Sequence, residues 1–150
     1  MKQRISEWLP GNPIHQVLME KARSAIQKVN PERIFFVWLQ GESDAVAGTK
    51  KDEYKEALRL LCDALKAELG IGLFGIIRVG LFTNDDRDIE IISAQDEICR
   101  EDKDFAMLTD VATELYTQLE YMSPYFKGHY SAKGLELLGN LAAKALCERK

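Results

Sequence analysis

The sequence predicts an α/β fold in which a parallel sheet is sandwiched between helices in three layers. Two observations predict it. Amphipathic stripes at helical spacing alternate along the chain with short runs rich in β-formers. Those runs are almost wholly apolar rather than alternating, as strands covered on both faces should be. No internal repeat, low-complexity tract or linker interrupts the order, so residues 1–150 read as one domain. A chain of this length buries roughly two-thirds of the surface it exposes when unfolded, enough for a core without disulfides or metal.

Each element has its own signal. Asn12 can cap free amide groups and Pro13 tolerates the first helical position, so a helix starts there. Ile14, Val17, Leu18, Ala22, Ala25, Ile26 and Val29 form its apolar stripe, and Asn30-Pro31 ends it. Residues 33–39 (RIFFVWL) form the first strand, which stops at Gln40-Gly41. A second helix runs from about 51 to 69, with Tyr54, Leu58, Leu61, Cys62 and Leu65 inward and Gly70 as terminator. Lys50, Lys51, Lys55 and Arg59 read as its outer face. Residues 74–82 (FGIIRVGLF) read as a second buried strand, and 89–100 as a helix with Ile89, Ile92 and Cys99 inward and Glu97 as a polar break. Residues 105–111 give a short third strand. Ser131 can cap a last helix running to about Cys147, with Leu135, Leu138, Leu141, Ala142 and Ala145 inward.

Charge and composition exclude several partners. Twenty basic and 24 acidic residues leave a formal charge of −4, with no excess to hold a phosphate backbone or an anionic membrane. No nucleic acid and no membrane partner is expected. No apolar stretch approaches spanning length, and nothing near Met1 reads as a signal peptide. Cys62, Cys99 and Cys147 are odd in number and widely spaced, so buried or half-buried thiols are expected rather than disulfides. That usage suits a cytoplasmic protein. No cofactor is expected, nor a metal site, because neither histidine has a second histidine or cysteine at ligand spacing.

In open α/β sheets ligands bind at the carboxyl ends of strands, which directs attention to residues 40–44, 83–88 and 110–129. Gln40-Gly41-Glu42-Ser43-Asp44 places an amide, two carboxylates and a hydroxyl after the most apolar strand. Gly41 permits a tight turn or close approach to a ligand, the Gln40 amide can donate to a developing oxyanion, and a carboxylate can orient a histidine. Ser43 or Asp44 alone reads equally as a helix cap; the cluster as a whole reads as a site. His15 falls on the polar side of a first helical turn and reads as solvated. His129 lies in a loop that the sheet would bring to the strand ends, and by position it is equally a site residue or an ordinary hydrogen-bonded one. Thr83, Asn84, Asp85, Asp86 and Asp88 read as a solvated acidic loop without the spacing of an EF-hand.

The runs VWLQGESDA (37–45), ISEWLPGNP (5–13) and GHYSAKGLELLG (128–139) resemble the sialate O-acetylesterase and acetylxylan esterase group of SGNH-type hydrolases. The resemblance implies a flavodoxin-like three-layer fold and hydrolysis of O-acetyl esters on carbohydrates. It implies that His129 is the general base, that Gln40 is the oxyanion-side amide with Gly41 allowing its approach, and that Glu42 is the leading candidate to orient His129. Two departures accompany it. The family's serine nucleophile lies in a glycine-glutamine-serine-asparagine-like block that would precede Met1, so no nucleophile stands in the expected place and Ser43 does not match it. Where the family usually carries an aspartate three residues before the histidine, this chain has Phe126. The chain is thus expected to correspond to the C-terminal part of such an esterase and to be inactive alone. The alternative is a non-catalytic binding or assembly module derived from that fold. In a sheet of order 2-1-3-4-5, strand 33–39 would lack a neighbour, so a homodimer or a separately encoded N-terminal half is expected at that edge.

Overall fold

The computed structural model describes residues 3–149. A 3₁₀ turn (Ile5–Trp8) leads into α1 (Pro13–Val29), β1 (Phe35–Trp38), the short α2 (Glu42–Ala47), α3 (Lys51–Leu69) and β2 (Leu73–Ile77). Then come α4 (Asp86–Glu101), β3 (Phe105–Thr109), α5 (Ala112–Leu115), a second 3₁₀ turn (Leu119–Tyr121) and α6 (Ala132–Cys147). The three strands pair in parallel in the order β1-β2-β3.

Register decides which side chains meet. Phe36, Phe74 and Phe105 are paired across the sheet and therefore share a face. Their rings follow one another with centroids 5.0 Å apart at each step. Tyr54, Leu58, Leu61 and Leu65 of α3, Ile91, Ala94 and Ile98 of α4, and Met19 of α1 pack with that face. On the opposite face Ile77 and Leu108 pack against Ala112, Leu115, Leu138 and Ala142 of α5 and α6. The result is the three-layer α/β fold, with the inward residues of α3 as the sequence predicts.

Several expectations are corrected. β2 ends at Ile77 rather than at residue 82, because side chains take over the backbone beyond it. Val79 N–H donates to Gln95 Oε1 at 2.9 Å, Gly80 N–H to Tyr130 Oη at 3.1 Å, and Phe82 N–H to Asp88 Oδ2 at 3.0 Å. α4 starts at Asp86, with Asp85 accepting from Arg87 N–H as its cap, and its inward residues are Ile91, Ala94, Gln95 and Ile98. Ile89 is exposed, and the stripe is rotated because Gln95 is drawn in to satisfy the end of β2. In α6, Leu135 is exposed while Gly134, Leu138 and Ala142 are buried. Lys55 is not on an outer face: its ammonium lies between Glu97 and Glu101, at 2.9 and 2.8 Å, and joins α3 to α4.

β1 is covered on one face only. Phe35 and Val37 are 37% and 42% exposed, on the sheet face that α6 covers at β3. Val17 and Val29 of the α1 stripe are exposed as well. The three thiols are free; burial pushes those of Cys62 and Cys99 up to about 12, whereas Cys147 is exposed, contrary to its apolar setting in the sequence. Among the described residues no helix is long and apolar enough to cross a membrane.

Two glycines make a contrasting pair. A Cβ on Gly80 would lie 2.6 Å from the Ala112 carbonyl oxygen, which is backbone and cannot swing away, whereas a Cβ on Gly139 meets nothing within 4 Å. Gly80→Ala is expected to lower stability by about 1–3 kcal/mol. Gly139→Ala, in the exposed interior of α6, is expected to raise it by about 0.5–1 kcal/mol. Urea denaturation of the two variants checks both signs.

Candidate functional site

The turn after β1 is built around a buried carboxylate. Asp44 accepts from the Ile5 N–H at 2.8 Å, from Gln40 Nε2 at 2.7 Å and from Thr49 Oγ1 at 3.0 Å. The same Gln40 Nε2 donates to the Gln3 carbonyl at 3.0 Å. Tyr54 Oη donates to the Gln40 carbonyl at 2.6 Å, with Gln40 Oε1 3.1 Å away, and Gln95 Nε2 donates to that carbonyl at 3.0 Å. Trp38 Nε1 in turn donates to Tyr54 Oη at 3.2 Å. The Gln40 amide hydrogens are thus directed inward, onto the turn itself. Gly41 makes its close approach to the core: a Cβ there would lie 2.7 Å from Ile91 Cγ2 and 3.1 Å from Val79 Cγ1.

Glu42 opens α2 and is half-buried. Its carboxylate is met by the backbone N–H groups of Gly41 and Glu42 itself, with His129 and Asp88 within electrostatic reach. Burial, helped by the nearby Asp88 carboxylate, outweighs the backbone N–H groups and His129 and pushes the carboxyl above the ordinary range near 4.5.

His129 reaches the same place from a loop that owes its shape to specific bonds. Ser123 N–H donates to the His129 carbonyl at 2.8 Å, His129 N–H to the Phe126 carbonyl at 3.1 Å, and Ser131 N–H to the Tyr121 carbonyl at 2.8 Å. Gly128 adopts φ +80°, and a Cβ there would strike the Phe82 ring at 2.5 Å, so only glycine fits. The imidazole packs edge-on against Phe82 at 5.5 Å and Phe126 at 6.1 Å between centroids. Tyr130, accepting from Gly80 N–H, ties the loop to the end of β2, and burial pushes its phenol up to about 12. Among the described residues no serine hydroxyl is hydrogen-bonded to the His129 ring.

The structure therefore leaves Glu42 within electrostatic reach of His129 and uses Gln40 and Gly41 to hold the turn that carries it. Two sequence readings change. His15 is buried rather than solvated, its Nδ1 2.8 Å from the Trp8 carbonyl and its Nε2 3.2 Å from Glu68 Oε1, because the first turn of α1 faces the 3₁₀ turn and α3. Asp88 is buried rather than solvated, accepting from the N–H groups of Phe82, Thr83 and Asn84 at 2.6 to 3.0 Å. Gln95 and Tyr130 escape the sequence reading, although a glutamine inside an otherwise apolar helical register is a legible sign of a buried polar partner.

A parallel sheet with helices on both faces, and an acid and a histidine gathered at the strand carboxyl ends, is the arrangement of the flavodoxin-like, SGNH-type hydrolase fold. Within that class the chain belongs to the carbohydrate esterase, sialic acid-specific acetylesterase family, whose model matches residues 2–148. No curated protein matches the chain significantly, and no solved structure does.

The raised carboxyl of Glu42 has a sign that can be measured. A group that binds its proton more tightly folded than unfolded lowers stability as pH rises from its unfolded value through its folded one. Glu42→Gln is therefore expected to be more stable than the parent at about pH 7 and to lose that advantage at about pH 4, where the parent carboxyl is protonated in both states. Denaturant midpoints at the two pH values provide the check.

Proposed function

We propose that this chain carries the histidine side of a carbohydrate O-acetylester hydrolase site and works with a serine that lies outside residues 1–150. The observation that carries this reading is that the His129 loop is tied to the end of β2, through Phe82 and Gly80, within electrostatic reach of Glu42 after β1. In the reaction the serine Oγ attacks the acetyl carbonyl while His129 takes its proton. The proton passes to the departing sugar alkoxide, leaving an acetyl-serine. Water, deprotonated by the same imidazole, then releases acetate and restores the serine. Glu42 stabilises the imidazolium from the side where the family's aspartate is replaced by Phe126, and Phe126 fixes the ring plane by packing. Gln40 and Gly41 form the oxyanion side, with Gln40 donating to substrate when it exchanges one of its inward partners.

The serine-bearing segment pairs along β1, whose outer edge carries no strand among the described residues and whose Phe35 and Val37 are exposed beside it. Residues 1–150 act in this reading as a single domain, and the three free thiols fit a reducing cytoplasm. A second reading, a non-catalytic binding or assembly module, is favoured by one observation: the Gln40 amide is committed inward.

Hydrolysis of p-nitrophenyl acetate separates the readings. The isolated chain is expected to match its His129→Ala variant, and addition of a family serine-block segment is expected to raise turnover at least tenfold (~1.4 kcal/mol) in the parent but not in the variant. Turnover by the isolated chain well above the variant overturns the shared-site reading, and no gain with the segment leaves the module. The β1 edge is tested by size-exclusion chromatography with light scattering. The isolated chain is expected to be a dimer of the 17.0 kDa protomer in the absence of its partner, and a stable monomer up to high concentration counts against the edge as an interface.

A further inference from the structure

We infer that the groove along the outer edge of β3 is a docking site for an acidic peptide segment in extended conformation. β3 is the last strand of the sheet. The Phe74 N–H donates to the Asp104 carbonyl, and Phe74 and Gly75 are in register with Phe105 and Ala106. Backbone groups alternate sides along a strand, so Ala106 turns toward β2, and the Phe105 carbonyl and both backbone groups of Met107 turn outward. They floor a cavity of about 720 Å³ between the ends of α4 and α6.

The walls of that cavity are basic in a chain whose net charge is −4. Arg78, Arg100, Lys103 and Arg149 line it, against Asp96 and Asp110. Arg78 is neutralised by a two-pronged bond to Asp96 at 3.0 and 3.1 Å. Lys103 and Arg149 form no ion pair among the described residues, and Arg100 only donates Nε to the Asp96 carbonyl at 3.3 Å. Two chemistries are therefore offered at once: a row of strand-pairing groups, which takes any extended backbone, and a rim of free cations, which selects carboxylate side chains. A small anion satisfies only the rim. The β1 edge differs: apolar Phe35 and Val37 are exposed beside it, and Arg33 lies over the Phe35 ring, 5.6 Å from its centroid, rather than along a groove.

The test uses the full chain, labelled for amide NMR, with three probes: a blocked five-residue peptide alternating glutamate and valine, its lysine-for-glutamate counterpart, and inorganic tripolyphosphate. The acidic peptide is expected to bind saturably, to slow exchange of the Met107 amide, and to weaken as salt is raised. The lysine peptide is expected not to bind. Lys103→Glu combined with Arg149→Glu, both at exposed positions, is expected to weaken the acidic peptide about tenfold. Absence of saturable binding overturns the inference. So does equal binding of tripolyphosphate without protection at Met107, which would mark an anion patch alone, or protection along β1 instead of β3.

Discussion

A carboxylate taken out of water must be met by donors, and Asp44, 1% exposed, is met by three. Those donors come from the backbone before α1, from the turn after β1 and from Thr49, two residues before α3, so one side chain fastens three segments. Most of the site follows from that bond set. With Gln40 Nε2 directed at Asp44, its carbonyl and Oε1 are left for Tyr54 and Gln95, and the next two residues start α2 in a fixed direction. Glu42 points where it does because the turn under it cannot rotate. Loss of any one donor leaves a buried charge short of a partner, which typically costs more than the bond itself contributes.

The histidine side is held differently. No sheet partner supports residues 122–131, and only a single bridge between Met122 and Tyr130 crosses the loop. Its geometry is supplied instead by a glycine that alone fits against Phe82, by Ser131 capping α6 while donating to the Glu120 carbonyl, and by Tyr130 reaching the end of β2. The two halves of the site thus rest on unlike supports, a buried ionic knot and a laced surface loop. They meet because β2 ends early and its next residues are free to accept side-chain partners from both. Gly80 and Val79 are that meeting place: one binds Tyr130, the other Gln95.

The exposed flank of β1 and the basic groove at β3 mark the two edges of a three-stranded sheet, and they differ in chemistry. An edge flanked by exposed apolar side chains suits burial against more of the same fold, whereas an edge rimmed by unpaired cations suits a soluble acidic strand. The family resemblance already implies an open edge at β1, whereas the basic rim at β3 emerges only when folding brings Arg100, Lys103 and Arg149 beside one strand.

Apolar periodicity by itself determined the fold class, the inward face of α3 and the alternation of helix and strand, since burial of a stripe depends only on spacing along one element. The motif around Gln40-Gly41-Glu42 and the block containing His129 determined where chemistry should be sought. Tertiary structure decided the rest. It buried His15, Asp88 and Lys55, which a linear pattern assigns to solvent, because a polar group is buried whenever a partner from a distant segment meets it. It turned the Gln40 amide inward, shortened β2 and rotated α4, because buried backbone groups must be paired and the nearest available partners were Gln95, Tyr130 and Asp88. Spacing along the chain sets which face is apolar; only the folded chain sets which polar groups find one another.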